Sequence, residues 1–231
     1  MLSRIAGVVV PVFGRLNITS DAGAAPAAGS IIIANHTSLS DPAIILAALR
    51  RLDAGPDPGP DPDPVALAAA GLWRIPLLGR ALTREGHIPV HRHDRRATQA
   101  LRDAQAALAA GRSVLLYPEG GLPHRGGVQE APPRPFHPGV FRLARSTGAQ
   151  VVPVGQAGAR ALASGGPAEV LARLLSAPLR RTGLEVHVGA PLWLGGELTQ
   201  AQALALARGA LTRAWYTAAR RLGGPATPLA S

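Results

Sequence analysis

The sequence predicts a single-domain α/β fold, and three observations predict it. Short β-branched runs such as Ile31–Ile32–Ile33 alternate along the chain with segments of helical periodicity. The chain has 231 residues, 47% of them hydrophobic, enough to bury one sizeable core. Its 27 glycines and 22 prolines are scattered or confined to a few loops, so they punctuate a globular chain and do not mark a disordered one.

The elements follow in order. Ser30–Ala34 reads as a short buried strand, bounded by Gly29 and Asn35. Residues 42–51 read as a helix, with Asp41 as its N-cap, Pro42 at its first position, and Arg50 and Arg51 in its last turn. Residues 53–64 alternate Asp, Gly and Pro and read as an exposed acidic loop, because proline supports neither helix nor central strand. Residues 65–70 and 87–91 read as strands, with a helical or irregular stretch over 72–83 between them. Residues 95–110 form the clearest helix, with Ala97, Leu101, Ala104 and Leu108 on one stripe and Gly111 stopping it. Strand 114–117 leads into a loop over 118–138 rich in Gly, Pro, His and Arg, long enough to suggest function. A short helix over 139–146, strands over 150–154 and 184–188, and a helix over 198–222 with Leu204, Leu211, Trp215 and Leu222 on one stripe complete the pattern.

Composition narrows the chemistry. All 24 basic residues are arginine, so Schiff-base, biotinyl and P-loop lysines are excluded. With no cysteine there is no thiol nucleophile, disulfide or thiolate metal site. The abundance of Ala, Gly, Pro and Arg points to a GC-rich, bacterial genome. A net charge of +10 calls for an anionic partner. The charge is dispersed, no basic run exceeding the doublets Arg50–Arg51, Arg95–Arg96, Arg180–Arg181 and Arg220–Arg221, and stacking aromatics are scarce, which disfavours nucleic acid. No stretch approaches the roughly 20 apolar residues of a membrane span. Ile5–Phe13 reads either as a segment resting on a membrane or as an N-terminal core element.

Two stretches carry candidate chemistry. In Asn35-His36-Thr37-Ser38-Leu39-Ser40-Asp41 a histidine at a strand end is followed five residues later by a carboxylate at a helix start. Asp41 can fix the imidazole tautomer and leave the other ring nitrogen to accept a proton. No serine sits in a G-x-S-x-G elbow, so the histidine would activate a substrate hydroxyl directly. In Tyr117-Pro118-Glu119-Gly120-Gly121 a strand enters a turn whose glycines let the backbone approach a ligand. His87, His91 and His93 read as strand-end histidines, and no metal set is expected.

Together these stretches resemble the acylglycerol-phosphate (lysophospholipid) acyltransferase family, within the phospholipid/glycerol acyltransferases. Four family blocks occur in order over about residues 15–195: Asn35, His36 and Asp41 with Pro42; Gly86, Ile88, Val90 and Arg92; Tyr117, Pro118, Glu119 and Gly120; and Val151-Val152-Pro153-Val154. The resemblance implies a mixed, mostly parallel sheet flanked by helices, and transfer of a fatty acyl group from acyl-CoA or acyl-acyl carrier protein to a lysophospholipid hydroxyl, in phospholipid biosynthesis. His36 and Asp41 would be catalytic. Asn35, Arg92, Glu119, Gly120 and Gly121 would bind substrate, with amides near Gly120 and Gly121 as oxyanion donors. No cofactor is implied. An anionic membrane surface is an expected partner, at the cytoplasmic side of the cell membrane. The expected organisation is an interfacial segment (1–29), the acyltransferase domain (30–222) and a loose tail (223–231).

Departures from the family pattern touch the acceptor site. Gly121 and Leu122 replace the family Thr and Arg, His91 replaces the Asp before Arg92, and Ala69 and His137 stand at usually basic positions. Either Arg125 or Arg134 compensates from the long loop, or the acceptor carries no phosphate. A related acyltransferase with a different acceptor is therefore one rival reading. A membrane-surface binding protein without catalysis is another.

Overall fold

The structure, a computed structural model, describes residues 2–22, 24, 26–53, 63–91, 97–122, 130–162 and 167–223. Seven strands make one sheet: β1 (Gly14–Ser20), β2 (Ile31–Ala34), β3 (Val65–Ala69), β4 (Ile88–Val90), β5 (Val114–Leu116), β6 (Val151–Ala157) and β7 (Thr182–Val188). Their order is β1-β7-β6-β2-β5-β3-β4. Every neighbouring pair is parallel except β6 with β7, so the sheet is mixed and mostly parallel, as the sequence predicts.

A parallel sheet of this kind needs both faces covered, and its central strands read as unbroken apolar runs. β2 is such a strand, with Ile31, Ile32, Ile33 and Ala34 all buried. One face is covered by α1 (Leu2–Phe13), α2 (Asp41–Asp53), α6 (Ala159–Leu162) and α7 (Pro167–Arg180). The other is covered by α4 (Ala97–Ala109), α5 (Gly139–Thr147) and α8 (Gln200–Arg221). A short 3₁₀ turn, Ala70–Arg74, and α3 (Pro76–Arg84) link β3 to β4.

The buried stripe of α8 is mostly alanine: Ala203, Ala207, Ala210, Ala214 and Ala218, beside Leu211 and Trp215. Small side chains bring the helix backbone down onto β6. A Cβ at Gly155 would lie 2.1 Å from the backbone of Ala214, so only glycine fits there. The expected stripe through Leu204 is only partly right, since Leu204 is half-buried at the margin.

Several elements went unread in the sequence. Within the segment 1–29, whose Ile5–Phe13 reads as interfacial or as a core element, β1 pairs with β7 along seven residues, and Ala6 and Val10 of α1 are core residues packed with α2. The outer stripe of α1, Ile5, Val8, Val9 and Val12, stays exposed. α6 and α7 were also unread; α7 contains Pro178 in its last turn. Of the acidic loop, residues 54–62 lie outside the described residues, as do Arg95, Arg96 and the tail beyond 223. Among the described residues no helix is long and apolar enough to cross a membrane.

Because β2, β3, β4, β5 and β6 run the same way, their C-terminal ends share one edge of the sheet. β1 and β7 run oppositely and begin at that edge. In open parallel sheets this edge is where ligands bind.

Candidate active site

His36 lies two residues beyond the end of β2, at that edge. Its Nδ1 is 2.9 Å from Oδ2 of Asp41. An ionised carboxylate only accepts, so Nδ1 carries the proton and Nε2 keeps its lone pair. The His36 side chain is 13% exposed, and Nε2 has no hydrogen-bond partner among the described residues.

Asp41 is completely buried, and its carboxylate braces the loop around it. Oδ2 also accepts from the amides of Thr37 (2.5 Å) and Ser38 (2.8 Å), and Oδ1 from the Thr37 hydroxyl. This corrects the reading of Asp41 as N-cap. The amide of Ile44 donates to the carbonyl of Ser40, so Ser40 is the cap position and Asp41 the first helical residue. Its carboxylate turns back to the 36–38 loop, and the positive helix N-terminus favours the buried charge.

Two neighbours fix His36. Tyr117 stacks on the imidazole, ring centroids 4.3 Å apart at 25°. Burial, reinforced by the Asp41 charge, raises the Tyr117 phenol well above its ordinary range, and its hydroxyl is buried with no partner among the described residues. The amide of His36 donates to Oε1 of Glu119 at 2.9 Å. Oε2 of Glu119 accepts from the Arg134 amide at 3.0 Å and from Arg134 Nε at 3.2 Å. Both carboxylate oxygens are therefore committed to protein donors, and Glu119 ties the histidine loop to the long loop.

Asn35 does not face outward. Its side chain is buried and clamps the main chain of Gln156, accepting from that amide at 2.8 Å and donating to that carbonyl at 3.0 Å. Gly120 adopts φ +78°, and a Cβ there would meet the His137 ring at 2.3 Å, so the turn requires glycine. The Gly120 amide donates to the Tyr117 carbonyl, which removes it as an oxyanion donor. The Gly121 amide makes no hydrogen bond among the described residues, and the Gly121 carbonyl accepts from Arg134.

Arg92 and Arg125 lie outside the described residues. Arg134 is brought to the site, with its guanidinium partly exposed. Sequence reasoning missed Gln156, which follows the V-V-P-V run by two residues, and Glu130 in the long loop. Glu130 accepts from the Gly158 amide at 2.8 Å and from Trp215 Nε1 at 3.5 Å, and burial raises its pKa. Neither residue stands in a motif; only their contacts reveal them. His87 is buried at the start of β4, where Nδ1 accepts from the Ala66 amide at 2.9 Å, and burial lowers its pKa. His93 lies outside the described residues, and no group of metal-ligating side chains occurs among the described ones.

A carboxylate-braced histidine thus stands at the C-terminal edge of a mostly parallel sheet, the edge at which open α/β sheets bind ligands. The chain belongs to the Acyltransferase family, whose pattern matches residues 15–156. It is 32% identical over 89 residues to the chloroplastic 1-acyl-sn-glycerol-3-phosphate acyltransferase BAT2 of Brassica napus, a match covering 38% of this chain and 24% of that protein. The chain thus spans about a quarter of that relative's length. Its fold is similar to the crystal structure of the 1-acyl-sn-glycerophosphate acyltransferase PlsC of Thermotoga maritima, with a TM-score of 0.69 over 94% of this chain and 77% of that one. At 18% identity this likeness concerns the fold.

Proposed function

We propose that the protein transfers a fatty acyl group from a thioester, acyl-CoA or acyl-acyl carrier protein, to the free hydroxyl of a lysophosphatidic-acid-type acceptor. The observation that carries this reading is His36, its side chain partly exposed, with Nδ1 fixed by buried Asp41 and Nε2 unpartnered among the described residues. Nε2 takes the hydroxyl proton as the acceptor oxygen attacks the thioester carbonyl. The tetrahedral intermediate collapses and expels the thiolate. The imidazolium, stabilised by Asp41, returns the proton to sulfur. The Gly121 amide, which makes no hydrogen bond among the described residues, is a candidate donor for the oxyanion. The protein works at the surface of a membrane, at its cytoplasmic side. The intact His36–Asp41 pair argues against a purely binding role.

One observation favours a second reading. Leu122 stands where an arginine is expected, and Arg134 is engaged with Glu119 and Gly121, so the acceptor side has lost a cation. An uncharged lipid or secondary-metabolite hydroxyl would suit such a site. The test is thiol release from a long-chain acyl-CoA, and from acyl-acyl carrier protein, with lysophosphatidic acid and monoacylglycerol compared as acceptors. Preference for lysophosphatidic acid supports the first reading, preference for monoacylglycerol the second, and release with neither sinks both.

A further inference from the structure

Residues 130–138 read Glu-Ala-Pro-Pro-Arg-Pro-Phe-His-Pro, with prolines at 132, 133, 135 and 138. Proline fixes its own φ, donates no main-chain hydrogen bond and drives the residue before it to extended backbone. Such a segment is stiff, joins neither helix nor sheet, and has to be held by contacts from outside. Residues 130–137 indeed form no helix or strand. Glu130 accepts from the Gly158 amide at 2.8 Å and from Trp215 Nε1 at 3.5 Å. The Pro133 carbonyl accepts from Arg208 Nε at 3.0 Å. The Arg134 amide and Nε donate to Glu119, and the His137 amide donates to the Pro118 carbonyl at 2.8 Å.

The two ends of this segment meet very different surroundings. At the Glu130 end, Gly158 adopts φ +94°, and a Cβ there would lie 2.2 Å from the Gly183 carbonyl oxygen and 3.2 Å from the Leu222 side chain. The end of β6, the start of β7 and the end of α8 therefore close on one glycine. Trp215 is buried beside them, packed with Ala157, Ala218 and Ala219. This corner is a fixed point. At the other end, Arg134 holds Glu119, whose second oxygen takes the His36 amide at 2.9 Å. Only Ala131, Pro132 and Pro133 separate Glu130 from Arg134, so a displacement of one end is carried to the other and not absorbed between them.

We propose that Glu130 is a positioning residue of the active site: it hooks a proline strut to the Gly158–Trp215 corner, and the strut holds Glu119 against the main chain of His36. The charge of Glu130 is not what the contact uses, since burial and, less strongly, the Asp41 carboxylate disfavour it. What Gly158 and Trp215 require is an acceptor. The proposal rests on the acyl-transfer reading for its effect on rate, but the geometry it describes is measured without substrate.

The experiment follows hydrogen exchange of the assigned His36 amide, together with steady-state kinetics, in Glu130→Ala, Glu130→Gln and Pro132→Gly. Glu130→Ala should speed exchange at His36 roughly ten-fold, the factor that one net hydrogen bond represents, with exchange in β2 and β5 unchanged. It should lower kcat by a similar factor and leave KM nearly unchanged. Glu130→Gln keeps an acceptor for Gly158 and should recover most of both. Pro132→Gly, at an exposed position, should speed His36 exchange by a smaller factor with Glu130 intact, because the strut softens. Adding Glu130→Ala to Glu119→Gln should cost no further rate, since the far end of the strut is already unhooked. An unchanged His36 exchange rate in Glu130→Ala overturns the proposal. So does acceleration spread equally through β2 and β5, which would make Glu130 a residue of global stability, or full additivity of the double variant. Local acceleration at His36 in a protein that transfers no acyl group leaves the positioning role standing and removes the enzymatic reading.

Discussion

Asn35 and Gln156, separated by 121 positions, hold each other by three hydrogen bonds: side chain to main chain in both directions at 2.8 and 3.0 Å, and Gln156 Nε2 to the Asn35 carbonyl at 3.2 Å. The peptide that enters His36 is therefore fixed by β6. Gln156→Leu removes only the Nε2 bond to the Asn35 carbonyl, and is expected to lower kcat more than it raises KM, because the peptide leading to His36 loses part of its support while the substrate contacts remain. It should also destabilise by about 1–3 kcal/mol, the cost of leaving the buried Asn35 carbonyl without its donor. Steady-state kinetics and a urea melt check both parts. Equal kcat in the variant removes the positioning role.

If His36 is the general base proposed above, its removal should give the largest kinetic effect. His36→Ala should lower kcat by roughly 10²–10⁴-fold with little change in melting temperature, since the ring lies in a polar loop. A variant that keeps more than about a tenth of the rate would show that His36 does not move the proton.

Glu119→Gln tests the bridge between the two loops. One amide oxygen can still accept from His36, but the new NH₂ then faces the Arg134 amide and Nε, both donors. Rate and stability should fall together, and Glu119→Asp should not rescue, because a shorter carboxylate cannot span both loops. Loss of acceptor affinity at unchanged kcat and melting temperature would instead make Glu119 a substrate contact.

Arg134→Ala is expected to raise KM for lysophosphatidic acid and to leave KM for monoacylglycerol nearly unchanged, if its guanidinium reads the phosphate. Arg92→Ala should do the same, more strongly. Equal damage to both acceptors assigns the arginine a structural role.

Stability should decline as pH falls through the histidine range. Burial lowers the pKa of His87 below its unfolded value of about 6.5, so the neutral ring contributes stability above that value and loses it as pH drops toward the folded pKa. His87→Gln keeps an acceptor for the Ala66 amide without a titrating ring. The gap between wild-type and variant melting temperatures should therefore change between pH 8 and 5, and a constant gap would place the titration elsewhere.

The fold and the His36–Asp41 contact were legible because each left a local trace. The isoleucine run of β2 and the periodic helices α2, α4 and α8 could be read from spacing, and His36 with Asp41 from a strand end and a helix start. Asp41 as N-cap was wrong because spacing cannot say which way a carboxylate at a helix start turns. β1 was missed because its Arg, Asn, Thr and Ser belong to an edge strand whose apolar residues are few. Gln156 and Glu130 act through contacts with residues far away in sequence, and one chain offers no signal for such pairs.

The wiring of Asp41 has a consequence for how this site can change over time. One buried carboxylate serves the imidazole and also the amides and hydroxyl that shape the loop. The chemistry and the local architecture are thus encoded by the same two oxygen atoms. If the protein transfers acyl groups as proposed, a lineage that abandoned that activity would still be held to an acid at position 41 by the loop alone, whereas the loop's main-chain hydrogen bonds make no use of the ring at 36. Decay of function should therefore be recorded first at His36, and an aspartate surviving without its histidine would be the fossil of a lost enzyme.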